Sequence, residues 1–484
     1  MNTSTDAVET VSMGMSMGTN ARASDGRDPS HAPGPGAEGT QQHKIYMLTA
    51  RFGGVTADGE LSIGGFPVSR LAAQYGTPCF VYSGEMIEEQ VRRVQAALGQ
   101  ATDVYFSIKA NPSLGVCQLL ARLGVGAELA SGGELLLALK AGFEPRRIIF
   151  AGPGKTDEEL ELAVRHRIGA VNVESAGELA RLRAIAGRAG QQVSVGLRIN
   201  PSLSLLGANM RMGGGTQQFG IDEEQVAGIV QQYRHDHIVD ITGIHVYTGT
   251  QIFDVGQLLE HCAYVLDMAG QLAAQLGRPL KQVDLGGGFG VPYFDKTGEF
   301  DLQAFGAGYA QLLERYRRDD RFAGTRFVIE LGRYLVAHAG LYITRVVDVK
   351  RSRDKTYVVT DGGMNHHTMA TGNFGQVFRK PYPVAVVNRM AEPPAEHMSV
   401  VGPCCTPLDV IGNDLQLASA RPGDLVGVFY SGAYGYSASS LAFLSHPTPA
   451  EVLVWRGRCH LLRAAGRMDQ VLDGQCGLAP DEDE

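Results

Sequence analysis

Lys109 closes the run Val104-Tyr105-Phe106-Ser107-Ile108 and is followed at once by Ala110-Asn111-Pro112. Aromatic and β-branched residues ending in a lysine, an asparagine and a proline read as a buried strand that stops where Lys109 begins. A lysine at a strand's C-terminal mouth, set against apolar wall, is where an amine is desolvated and its pKa lowered until it attacks a carbonyl. Taken alone, Lys109 reads more plainly as a solvated lysine at a loop start. Two other stretches change that balance. Asp284-Leu285-Gly286-Gly287-Gly288-Phe289-Gly290 is a glycine run whose backbone N–H groups can approach phosphate oxygens closely, although a flexible turn has the same composition. Ile329-Glu330-Leu331-Gly332-Arg333 sets a carboxylate and a guanidinium three residues apart, with a surface ion pair as the alternative. An amine that forms a Schiff base, a phosphate cradle and an acid to pair with a ring nitrogen are together what a pyridoxal phosphate site requires.

These residues need a scaffold that brings them to one place. Short apolar runs recur at 104–108, 126–130, 148–151, 170–173, 193–199, 241–246, 282–285 and 326–330, separated by segments with apolar residues at helical spacing. Strands alternating with helices argue for a parallel sheet. Eight such units fit a (β/α)8 barrel, of the TIM-like kind, with a doubly wound open sheet as the alternative. In a barrel the chemistry collects at the C-terminal ends of the strands, and phosphate is held by the loops after strands 7 and 8. The lysine then follows strand 1, the glycine run strand 7, and the acid strand 8.

The flanking segments differ in character. Residues 1–43 are rich in Ser, Gly, Met, Ala and Pro, and read as a disordered N-terminal extension. Between 44 and 82, short β-like runs at Lys44–Leu48 and Cys79–Tyr82 surround a helical stretch from Pro67 to Tyr75, and this segment is expected to contribute to a β domain. A helix from Gly84 to Leu98 opens the barrel segment, 83–336. Over 337–462 alternating runs such as 342–347, 356–359, 384–387, 425–429 and 451–455 predict a C-terminal β domain, a β-sandwich or small β-barrel, and 463–484 is an acidic tail.

At 484 residues, 44% hydrophobic and 19% charged, with a net charge of −8 and no basic block, the chain reads as a soluble protein without nucleic-acid or membrane partners. No run of eighteen apolar residues and no basic-then-apolar N-terminus is present, so the cytoplasm is the expected compartment. Seven cysteines at scattered spacings read as thiols.

Several motifs, in order, resemble the ornithine/diaminopimelate decarboxylase family, the fold-type III pyridoxal phosphate enzymes: Ser107-Ile108-Lys109-Ala110-Asn111, Ala130-Ser131-Gly132-Gly133-Glu134, Gly286-Gly287-Gly288-Phe289-Gly290, Glu330-Leu331-Gly332-Arg333, Gly402-Pro403-Cys404-Cys405 through Asp409, and Ser431-Gly432-Ala433-Tyr434. Met210–Gly215 and Ala442–Pro447 further resemble the branch found beside exosortase and exopolysaccharide systems. The resemblance implies a decarboxylase of the alanine racemase-like barrel type that works as a homodimer with shared sites. It implies Lys109 as the Schiff-base lysine, Glu330 on the pyridine nitrogen, and Gly286, Gly287, Gly288, Arg333 and Tyr434 around the phosphate and the substrate carboxylate. Glu128, Glu134 and Arg198 match positions near the cofactor. Cys405, from the partner subunit, would protonate the product carbon. No metal is implied.

Two departures bear on specificity. Tyr247-Thr248-Gly249-Thr250-Gln251 stands where the family has His-Ile-Gly-Ser-Gln, so Tyr247 takes the place of the stacking histidine and Thr250 that of the phosphate serine, while His245 fits the anchor less well. Thr406 stands where the family's relatives follow the catalytic cysteine with an acid that meets a distal ammonium. A buried ammonium without a counter-charge is costly, so the substrate is expected to be an amino acid of another kind or one tethered to an acyl-carrier protein, unless Asp409 reaches that ammonium. The alternatives are a diaminopimelate decarboxylase of lysine biosynthesis and a catalytically silent, cofactor-binding regulator.

Overall fold

The computed structural model describes residues 39–202, 210–211, 215–374 and 380–478. The expected disordered extension falls outside these residues except for 39–43, as does the end of the acidic tail. Eight parallel strands form a closed ring: β1 (Thr102–Ser107), β2 (Gly126–Leu129), β3 (Ile148–Phe150), β4 (Ala170–Val173), β5 (Val193–Asn200), β6 (Val239–His245), β7 (Gln282–Gly287) and β8 (Arg326–Leu331). Pairing runs in chain order, and β8 returns to β1 with Glu330 opposite Tyr105. That closure rules out the open doubly wound sheet.

Strands such as Ile148-Ile149-Phe150 are continuously apolar because both of their faces are covered, one by the surrounding helices and one by the barrel interior. Tyr105, Ile149 and Val328, from β1, β3 and β8, form a separate buried cluster of their own. The helices start on side-chain caps: Ser131 accepts the Glu134 N–H, Ser175 that of Glu178, and Thr156 with Glu159 makes a full capping box.

Strand Cys79–Ser83 lies in the second sheet, antiparallel to Gly340–Ser352 and parallel to Ala450–Trp455. The sheet extends through Lys355–Thr360, Glu396–Val401 and Val410–Leu417 on one side and through Arg458–Arg463 on the other. Three of these strands, Glu396–Val401, Val410–Leu417 and Arg458–Arg463, go beyond the alternating runs read from the sequence. The first two pair across register shifts, which break strict alternation, and the third is an edge strand with mostly exposed side chains.

Lys44–Leu48 is helical rather than β. Gln41–Phe52 forms a helix capped by Thr40, whose side chain accepts the His43 N–H, and ended by Gly53 at φ +132°. Lys44, Leu48 and Phe52 recur every four residues on its buried face. That periodicity outweighs the β preference of Ile45 and Tyr46.

The two domains meet over Lys109. The Tyr434 N–H donates to the Ala110 carbonyl at 2.7 Å, the Asn111 side-chain amide to the Gly432 carbonyl at 2.9 Å, and the Ser437 hydroxyl to the Lys109 carbonyl at 3.2 Å. Among the described residues no helix is long and apolar enough to cross a membrane.

Candidate active site

Lys109 occupies a single 3-10 turn, Ile108–Ala110, directly after β1. Its ammonium lies 3.0 and 3.2 Å from the two carboxylate oxygens of Glu128, which is buried on β2, where Glu128 is the register partner of Ser107. Burial works to lower the pKa of this amine, but Glu128, with Tyr434, Glu330 and Tyr247, outweighs it and holds Lys109 above the ordinary lysine range. The expected depression by an apolar wall is therefore corrected: the neighbour across the strand pair is a carboxylate. The lysine side chain is 46% exposed, so this pair lies at the rim of the barrel mouth and solvent weakens it.

Behind the lysine is a buried polar cluster. His245 at the end of β6, Asp284 on β7 and Glu330 on β8 are all buried, with one ligand-type atom of each within 4.8 Å of the others. His245 and Asp284 are register partners, and His245 Nε2 lies 3.4 Å from Glu330 Oε2. Burial pushes both carboxyls up, and their proximity splits them. Asp284 stays well above the usual carboxylate range because of burial and the Glu330 charge. Glu330, which gains from His245, the Asp284 hydroxyl and Lys109, is held down to about 2. The two carboxyls are thus pushed in opposite directions, as like charges this close require, with Glu330 the one that favours the ionised form. Glu330 Oε1 has no hydrogen-bond partner among the described residues. A buried, ionised acceptor without a donor suits the N–H of a pyridinium ring.

The glycine run has a steric reason. A Cβ on Gly286 would meet the Val246 carbonyl at 2.6 Å, one on Gly287 the Glu330 carbonyl at 1.9 Å, and one on Gly288 the Gly249 carbonyl at 2.2 Å. Gly286 and Gly288 also have φ of +66° and +86°. The backbone of 246–250 therefore packs directly on this turn, and the Gln251 side chain fixes the contact by exchanging two hydrogen bonds with the Val291 backbone. Tyr247 is half-buried, hydrogen-bonded to Thr250, and feels the charges of Lys109 and Arg333. Tyr247 thus faces the mouth and His245 the interior. Arg333 lies over the rings of Tyr434 and Tyr293, 4.6 and 5.5 Å from their centroids, and its Nε has no partner among the described residues. The backbone of Met210–Arg211 pairs with Gly249–Thr250, which places part of the Met210–Gly215 stretch beside the same mouth.

Other candidates are engaged elsewhere. Arg198 is buried in an ion pair with Glu174 at 2.7 Å, and Glu174 also accepts the Gly152 and Gly220 N–H groups. Glu134 accepts the Ala130 N–H at 2.8 Å, beside Glu128 and Lys109. In the β domain Cys404 is buried, whereas Cys405 is exposed and Thr406 partly so. Asp409 is buried, and its two oxygens accept the Met364 and Cys404 N–H groups at 2.6 and 2.8 Å, so its carboxylate ties the loop after Cys405 to the 361–364 segment. Asp284 was visible in the glycine motif, but no signal in the sequence marks it as the buried neighbour of Glu330. Glu174 carries no signal at all.

This arrangement, a lysine at the mouth, a buried acid behind it with one oxygen left without a partner among the described residues, and a cradle of glycines, fits pyridoxal phosphate. Residues 85–337 match the family model described as the pyridoxal-binding domain of pyridoxal-dependent decarboxylases. The chain belongs to that family. This pyridoxal-dependent decarboxylase is 37% identical to an L-glutamyl-[BtrI acyl-carrier protein] decarboxylase of Niallia circulans over 84% of this chain and 96% of the relative. It is 32% identical to a diaminopimelate decarboxylase of Aquifex aeolicus over 86% and 96%. The crystal structure of diaminopimelate decarboxylase from M. jannaschii in complex with L-lysine superposes with a TM-score of 0.80 at 27% identity, covering 87% of this chain and 97% of that one. The decarboxylase has the fold-type III architecture, and its cofactor is pyridoxal 5'-phosphate.

Proposed function

We propose that this decarboxylase removes the α-carboxylate of an amino acid tethered through its far end to an acyl-carrier protein, so that the α-amine and α-carboxylate remain free. The observation that carries this reading is the loop after Cys405. Thr406 offers no charge, and the Asp409 carboxylate is engaged by two backbone N–H groups, so this loop supplies no free acid for a distal ammonium. The Niallia relative, named for a carrier-bound glutamyl substrate, supports it. The diaminopimelate decarboxylase relatives favour a second reading, a free diamino acid substrate.

In this reading the bound cofactor supplies the electron sink for the pair left when carbon dioxide departs. Lys109 would hold the cofactor through its side-chain amine. Glu128, alongside it, takes the charge of the released ammonium. Glu330, held below the usual carboxylate range beside Asp284, would accept the ring N–H of the cofactor. Tyr247 would pack on the cofactor ring, Thr250 and the N–H groups around Gly286–Gly288 would hold its phosphate, and Arg333 with Tyr434 would meet the substrate carboxylate. Arg198 and Glu134 fix the walls of the mouth. The exposed Cys405 serves the second site of a homodimer, where Cys405 of the partner subunit delivers the proton to the product carbon.

The test is carbon dioxide release by the cofactor-loaded protein from meso-diaminopimelate, ornithine, lysine, arginine, glutamate and a glutamyl carrier protein. Turnover confined to the carrier-bound substrate is the expected result, and turnover of free meso-diaminopimelate overturns it. Lys109→Ala tests the anchor separately: borohydride must no longer fix the cofactor covalently to the chain.

A further inference from the structure

A second cavity lies apart from the Lys109 mouth. It has a volume of about 500 Å3 and opens between helix Gln41–Phe52, helix Gly84–Leu98 and the loops that follow β7 and β8. That volume is in the range of small-molecule sites. Its wall carries four cationic side chains, Lys44, Arg51, Arg93 and Lys296, against one carboxylate, Glu299. Arg51 is paired with Glu89 at 3.2 Å. Arg93 is hydrogen-bonded to the neutral Gln90 side chain and to no carboxylate among the described residues, and Lys296 has no side-chain partner among them.

Lys44 is 5% exposed, and its ammonium donates to the Phe294 carbonyl. Burial, only partly offset by Asp295 and Glu299, lowers its pKa to about 8, as expected of an ammonium held without an adequate counter-charge. Lys296 occupies a left-handed backbone conformation, φ +58°, which a lysine rarely adopts unless the surroundings impose it. Leu48, Val291, Pro292 and Tyr334 give the wall an apolar and aromatic part, and Gln90 and Thr297 add neutral polar groups.

We propose that this cavity is a second ligand site that takes a small anion of two negative charges with an apolar or ring portion, such as an aryl or alkyl phosphate. The cations supply the charge recognition, and the Leu48–Val291–Tyr334 wall covers the apolar part. The site adjoins the catalytic mouth through one step of chain, since Tyr334 lines the cavity while its neighbour Arg333 lies over Tyr293 and Tyr434. The proposal does not depend on which substrate the decarboxylase accepts.

The test is calorimetric titration of the full-length, cofactor-loaded protein, in which the catalytic phosphate cradle is already filled, with phenyl phosphate and with inorganic phosphate. Phenyl phosphate is expected to bind at least about tenfold more tightly than inorganic phosphate, because only it uses the apolar wall. Arg93→Gln combined with Lys296→Gln, both exposed positions where folding is undisturbed, should weaken phenyl phosphate at least about tenfold. Met47→Trp, which narrows the mouth and removes no charge, should weaken it as well. Equal binding of the two probes, or wild-type affinity in either variant, overturns the proposal.

Discussion

His245 Nε2 lies 3.4 Å from Glu330 Oε2, and both side chains are buried beside Asp284, whose carboxyl burial and the Glu330 charge hold well above the usual range. Three neighbouring strands, β6, β7 and β8, each contribute one member, so the cluster exists only when these three are paired side by side. Its effect is to push the two carboxyls in opposite directions, with Glu330 the one that favours the ionised form.

Replacing Glu330 by Gln removes the ionised acceptor and keeps the volume. Steady-state turnover should fall roughly 10²-fold while the cofactor absorbance remains. Asp284→Asn retains a donor at the same place and should stay within about tenfold of wild type. An Asp284→Asn loss as large as that of Glu330→Gln would show that Asp284 does more than donate to its neighbour.

Glu128→Gln removes the carboxylate that lifts the Lys109 pKa. Burial then acts unopposed by its strongest counterweight, and the lysine pKa should fall. In the cofactor-free protein, Lys109 should react faster with an amine-directed reagent at pH 8 than in wild type, as followed by peptide mass mapping. An unchanged rate would assign the elevated pKa to the tyrosines instead.

His338 and His367 are buried, and desolvation holds each neutral, with pKa values lowered from 6.5 to about 3. Their folded pKa values are depressed, so the unfolded chain binds protons first as the medium acidifies. Their contribution to stability is complete above about pH 6.5 and is lost as the pH falls from there towards 3. Urea unfolding at pH 8, 7, 6 and 5 should show a flat upper range and then a decline of about 1.4 kcal/mol per pH unit for each histidine. His367→Gln should shallow that decline.

Thr406→Glu restores an acid after Cys405. On the proposed reading, release of carbon dioxide from a free diamino acid should rise from background, and release from a carrier-bound glutamyl group should fall, both measured in the same assay. An unchanged preference would separate Thr406 from substrate choice.

Much of this architecture is written in local pattern. All eight barrel strands and the glycine, lysine and acid motifs at their ends are legible because a strand buried on both faces must be apolar and must stop at polar or turn-forming residues. The helix at Gln41–Phe52 was less legible, since Ile45 and Tyr46 favour strands and its stabilising face, Lys44–Leu48–Phe52, matters only once something packs on it.

By itself the chain order of motifs determined the cofactor class and pointed to Lys109 and Glu330 as candidates for its anchor and its ring-nitrogen partner, because each depends on a residue type at a strand end. The tertiary structure decided what those residues are worth. It placed Glu128 against Lys109, so that the amine's pKa rises instead of falling; it buried Asp284 beside Glu330, so that the two carboxyls are pushed in opposite directions; and it set the Asp409 carboxylate between the Met364 and Cys404 N–H groups. Charge interactions fall off over a few ångströms, and the groups that set them come from different strands and loops, so only strand pairing and loop packing bring them within range.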